Sequence, residues 1–303
     1  MAPFLRYPWH PFTRQERAMS DTTLSELIAR LQNGTLVPFL GAQALNGSVN
    51  AETGAPIPAD SDSLILAMNG GKPMAPKLMY EFARAAMNQE LKKGRSFIQR
   101  FLVQTYANTA WSRAPMHDWL AELKPHYVVD INRDTQLQES YKATPHTLIV
   151  GIARMSGKDY RFKIYHYDGS GYTEINQDEA DPSLPILFKP LGTPTPEPTF
   201  IASDADYVDY ITELMGGFAI PSFLKEYRKN KQYLFIGLRL NRDTERMVMS
   251  DIVYGAGSPT GYALIPGAND KEKRFCAKMG IEVIDASVED LLAAAGKGLV
   301  EAV

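Results

Sequence analysis

Cysteine is almost missing from this 303-residue chain. Its single thiol, Cys276, excludes an intramolecular disulfide framework and any structural zinc site built from several thiolates. An excess of positive charge is missing as well: 32 Lys and Arg stand against 35 Asp and Glu, for a net charge of -3. With no basic cluster along the chain, a phosphate-backbone footprint is absent and nucleic acid is excluded as the expected partner. No apolar run is long enough to cross a bilayer, and the first segment, MAPFLRYPWHPFTRQERAMS, scatters prolines and charges where a signal peptide would carry its apolar stretch. These absences predict a protein of the reducing cytoplasm that is neither exported nor membrane-bound. What is present is an ordinary globular composition, 45% hydrophobic and 22% charged, long enough for a large α/β core.

The order of segments gives that core a shape. Residues 1–20 read as an N-terminal extension, either an arm that docks on a partner or upstream sequence with little role. Thr23 and Glu26 fit a capping box, and Leu24, Leu27, Ile28 and Leu31 share one helical face. Asn33-Gly34 closes that helix and TLVPFL reads as a short buried strand. Turn formers then lead into KLMYEFARAAMNQELKKG and SFIQRFLVQTYA, a helical insertion spanning about 46–115. Residues of about 147–185 are strand-like, with a hairpin turn at Asp168 to Gly171, and form a small β-rich insertion. Helices and near-continuous apolar strands alternate from there to the end, so a single body over 21–303 is expected, built on a parallel sheet covered on both faces. Ligands of such sheets lie outside the carboxyl ends of the strands. The tips that matter are Gly41 onward, Asp130 to Asp134, Lys189 to Thr193, Gly237 to Arg239, and Pro266.

Five of these segments, in order, resemble the SIR2-like proteins, bacterial relatives of the sirtuins. LVPFLGAQAL is similar to the family's V-P-F-L-G-A-G-x-S. MHDWLAEL with VVDINRDTQLQES matches the helix and T-T-N-Y-D element, and ILFKPLG the K-L-H-G element. YLFIGLRLNRD corresponds to L-F-I-G-Y-S-x-x-D, and GYALIP with KMGIEVIDAS to the closing strands. The resemblance implies an α/β, Rossmann-like parallel sheet with helices on both faces, and NAD as the cofactor. It assigns Asn132 to orienting water or ribose and Asp134 to the nicotinamide amide. It assigns Gly41, Ala42, Gln43, Gly192, Gly237 and Arg239 to the cofactor. Asn and Asp after a strand equally serve to cap the next helix, so both readings of Asn132 and Asp134 stand.

The departures weigh on activity. Where the family carries its basic histidine, this chain reads Lys189-Pro190-Leu191-Gly192, and leucine accepts no proton. His126, His146 and His166 are the histidines considered for recruitment. Gln43 replaces the second glycine of the phosphate turn, where a side chain obstructs backbone approach, and Leu45 replaces a serine. Arg239 suits a phosphate or carboxylate, or a surface pair with Asp243. The absent cysteines speak against the zinc-containing deacylase branch. Two expectations follow: a degenerate module that binds NAD or a related nucleotide weakly or not at all and acts through protein contacts or as a homo-oligomeric scaffold, or an NAD glycohydrolase, for example of a bacterial stress or antiphage system, with an atypical base.

Overall fold

The computed structural model describes residues 14–155 and 160–298, with side chains from Thr23 onward. The N-terminal arm expected before the first helix falls, over residues 1–13, outside them. Helix α1 (Arg14–Gln32) is already formed at Arg14, which corrects the expected start. Thr23 and Glu26 lie within it. The upstream run RQERAMSD is rich in helix formers, and continuing the helix outcompetes a cap placed at Thr23.

Eleven strands and eleven α-helices are formed among the described residues. The strands are β1 (Leu36–Leu40), β2 (Tyr127–Asp130), β3 (His146–Gly151), β4 (Phe162–Tyr167), β5 (Tyr172–Ile175), β6 (Ile186–Lys189), β7 (Gly192–Thr193), β8 (Thr199–Phe200), β9 (Gln232–Ile236), β10 (Gly261–Leu264) and β11 (Ile281–Ile284). Nine of them form one sheet in the order β11-β10-β9-β1-β2-β6-β3-β4-β5, and β7 and β8 make a separate hairpin. Every pairing from β11 to β3 is parallel. Strands β4 and β5 add on antiparallel, so the β-rich segment extends the central sheet instead of standing apart from it. The sheet is Rossmann-like.

Alternation along each strand divides the core. Leu36 and Leu40 face one side, with Leu24, Leu27, Ile28 and Leu31 of α1 and residues of α5 (Pro115–Leu123) and α11 (Val288–Ala294). Val37 and Phe39 face the other, against α7 (Asp204–Gly216), α8 (Ser222–Tyr227), α9 (Asp243–Ile252) and α10 (Asp270–Lys278). Burial on both faces is why the strands carry few polar residues. The helices α2 (Ser61–Met68), α3 (Phe82–Lys93) and α4 (Arg95–Tyr106) build a third core of their own around Ile65, Ala86 and Leu102, which reaches the sheet through Leu45, Phe200 and Ala202. Arg154 clamps this unit down, with Nε donating to Asp206 of α7 at 2.8 Å and Nη2 to Glu90 of α3 at 2.7 Å.

Candidate functional site

The strand order reverses direction between β1 and β9, so the crevice of this sheet opens over their carboxyl ends. The two loops that leave those ends approach each other very closely. A Cβ on Gly41 would lie 2.7 Å from the Gly237 carbonyl oxygen, and one on Gly237, whose φ is +73°, would lie 2.6 Å from the Ala44 nitrogen. Glycine is required at both places. The contact is hydrogen-bonded: Gly41 N–H donates to Ile236 O (2.9 Å), Gln43 N–H to Gly237 O (3.1 Å), and Ala44 N–H to Gly41 O (3.0 Å). Backbone donors that a phosphate turn would offer to a ligand are thus satisfied inside the protein. The residues that follow wind into a short 3-10 turn, Ala42–Leu45.

Two cavities lie over this junction. The inner one, with a volume of about 50 Å³, is lined by Ala42, Asn132, Leu191, Tyr207 and Glu81 among others. The outer one, about 220 Å³, is bordered by Gln43, Gly237, Arg239, Asn241 and Arg242. Each is smaller than a typical small-molecule site. Six of the expected residues are accounted for here: Asn132 and Ala42 at the inner cavity, Ala42, Gln43, Gly237 and Arg239 at the outer, and Gly41 directly beneath. Arg239 is exposed, and the partner expected for it, Asp243, is bound by Arg246 instead.

Asp134 and Gly192 sit elsewhere. A Cβ on Gly192 would lie 1.8 Å from Thr199 O, so this glycine serves the β7–β8 hairpin. Asp134 is 1% exposed and accepts from Gln136 N–H at 2.7 Å, in the first turn of α6 (Gln136–Ser140). Asn132 is also engaged. Its side-chain amide donates to Asp130 Oδ1 and to Gly41 O, both at 2.9 Å, and its backbone N–H to Asp130 Oδ1 at 2.9 Å. Asp130 in turn accepts from Lys189 Nζ at 2.6 Å, with both side chains fully buried. Burial pushes the Asp130 carboxyl upward against the pull of the Lys189 ammonium. Arg133, where the family carries tyrosine, is spent on Ile201 O and the Tyr207 hydroxyl.

Sequence reading considered three histidines and passed over a fourth. His117, on α5, is wholly buried and stands with Asp130 and Asp134 so that one ligand atom from each lies within 4.8 Å of the others. Both its ring nitrogens and Asp134 Oδ2 lack a hydrogen-bond partner among the described residues, and burial lowers the imidazole's pKa, keeping it neutral. As a metal centre the trio is compromised, because both oxygens of Asp130 are already taken by Lys189 and Asn132. His117 lines neither cavity. Of the other three, His146 serves structure, bonding Thr144 O and the Tyr172 hydroxyl, each at 2.8 Å. Also missed were Glu81, Arg242 and Glu245. Burial, aided by the charge of Glu81, raises the Glu245 carboxyl to about 7. A pair of opposite charges ending adjacent apolar strands was the available signal for Asp130 and Lys189. Nothing in RDTERM sets Glu245 apart from a solvated helix face.

Among the described residues no helix is long and apolar enough to cross a membrane. The profile of the SIR2-like domain family matches residues 125–284, just over half of the chain. No curated protein matches it significantly.

Proposed function

Starting from the chain's membership of the SIR2-like domain family, we propose that it is a degenerate member, binding NAD or a related nucleotide in this cleft without breaking the nicotinamide–ribose bond. The observation that carries this reading is Leu191. It takes the place of the family's histidine, is 4% exposed, and packs in the hydrocarbon core under the sheet's carboxyl edge. Removing a positioned general base costs about 10²–10⁴-fold in rate. Asn132, the other expected participant, has its amide committed to Asp130 and Gly41.

Binding is supported by the cleft's position at the reversal of strand order and by the guanidinium groups of Arg239 and Arg242 on the outer cavity, which Asp60 and Asp62 also line. These suit the phosphates and ribose of a nucleotide. The fit is poorest at the turn itself, where Gln43 and Ala44 have spent their amides on neighbours. Affinity then rests on side chains more than on a backbone cradle.

The test pairs an activity assay with a binding assay. Purified protein incubated with NAD is expected to release no nicotinamide above the buffer rate, while calorimetry detects ADP-ribose binding. Sustained nicotinamide release by the wild type overturns the reading. The competing reading, an NAD-cleaving enzyme, needs a proton acceptor at the inner cavity. Glu245 is the group there held near neutrality, so any turnover should then vanish in Glu245→Gln.

A further inference from the structure

The inner and outer cavities share four lining residues, Ala42, Ser61, Arg242 and Glu245, so the two spaces adjoin there. Glu245, in the first turn of α9, is the acidic member of the four. Its Oε2 is shielded from solvent and takes no hydrogen bond among the described residues. A buried carboxylate oxygen left without a donor is costly, and native proteins normally supply one. The neighbouring arginines have other engagements: Arg133 holds Ile201 and Tyr207, Arg246 holds Leu240 O and Asp243, and Arg242 stacks over the Tyr80 ring at 4.7 Å. Glu81, which borders the inner cavity, already accepts from the Thr244 hydroxyl.

The Glu245 carboxyl at this waist, with Glu81 beyond it in the inner cavity, repels phosphate and attracts donors. A ligand reaching both cavities therefore places its phosphates outward at the exposed Arg239, away from Asp60 and Asp62 on the same outer cavity, and its hydroxyl groups at the waist. Resting on the nucleotide-binding reading above, we propose that Glu245, backed by Glu81, is the sugar anchor of the cleft, its free Oε2 accepting hydrogen bonds from the vicinal hydroxyls of a ribose. The carboxyl already titrates near neutrality, and donation from ligand hydroxyls favours its charged form. This gives the family's cleft a recognition group on α9, two residues beyond the segment YLFIGLRLNRD that carries the family likeness.

Calorimetry with two probes, ADP-ribose and inorganic pyrophosphate, separates anchoring from general electrostatics. Glu245→Gln keeps the side chain's shape and replaces one carboxylate oxygen by an amide nitrogen; its folding is checked by thermal melting. The variant is expected to bind ADP-ribose about 10-fold more weakly. Pyrophosphate, which has no diol, should bind unchanged or more tightly as a negative charge is lost. Glu81→Gln should show the same pattern to a smaller extent. Unaltered ADP-ribose affinity, or equal weakening toward both probes, overturns the anchor and leaves the nucleotide reading standing. If wild-type protein binds neither probe, the nucleotide reading falls and the anchor falls with it.

Discussion

Two polar regions lie a few residues apart at the carboxyl edge of this sheet, and they handle charge in opposite ways. Under the ends of β2 and β6, Asp130, Lys189 and Asn132 bind one another and the Gly41 carbonyl. Over the ends of β1 and β9, Glu245 keeps an oxygen free and Arg239 is exposed. The first region consumes the family's polar residues as internal cement. The second leaves groups for a visitor. A family element can therefore persist in sequence while its side chains change employment, and Asn132 is the case in point.

The sharpest way to break this comparison is to attack the interior pair. Asp130→Leu leaves Lys189 charged and alone and removes the acceptor of two Asn132 donors; it is expected to cost about 3–5 kcal/mol in denaturant unfolding. Adding Lys189→Met should restore most of that loss, since a well-packed apolar pair commonly replaces a buried ion pair at little cost. A mild effect of the single change would show that the interior cluster is not cement at all.

Gly237→Ala tests the interlock between the loops. With φ at +73° and the new Cβ 2.6 Å from Ala44 N, the backbone must shift, and about 2–4 kcal/mol of stability should be lost in thermal melts. Because the same shift deforms the outer cavity, ADP-ribose binding should weaken along with stability. Stability that falls while binding holds would uncouple the interlock from the cleft.

The smallest effect is one of pH. Folded Glu245 keeps its proton up to about 7, whereas the unfolded chain releases it near the ordinary value of 4.5. Its contribution to stability is therefore full below pH 4.5 and lost as pH rises through about 7. His146 runs the other way: burial lowers it from 6.5 to about 4, so stability is lost as pH falls below 6.5 toward 4, and His117 acts in the same sense. The two trends oppose each other across mildly acidic pH. Glu245→Gln removes the first, so stability of the variant should climb more steeply from about pH 4.5 to 6.5, by a margin on the order of 2 kcal/mol. Parallel pH profiles for wild type and variant would place Glu245 in ordinary solvent.

Most of the fold was legible because its central strands are buried on both faces and so read as apolar runs, from LVPFL to YLFI. The hairpin at Asp168 to Gly171 was legible from its turn residues, and the strands on either side, β4 and β5, pair as expected. The helix start at Thr23 misread a local pattern that a longer run of helix formers overrode. At the site, glycines with a steric duty were visible in the sequence, yet their duties differ: Gly41 and Gly237 fit each other, and Gly192 fits Thr199. His117 was hidden because an imidazole on an amphipathic helix carries no mark of what it faces. Glu245 was hidden because its surroundings come from α3 and the β1 loop, far away along the chain.

The outermost strand on the insertion side has a further bearing. A parallel sheet that stopped at β3 would present a row of open backbone groups flanked by bare aliphatics, an invitation to stacking with other chains during synthesis. Strand β5 instead ends the sheet with Tyr172, Thr173, Glu174 and Ile175, short and half-exposed, with the Glu174 carboxylate held by Lys163 across the ladder. The hairpin acts as a selvedge, a finished margin that keeps the weave from joining to its neighbour.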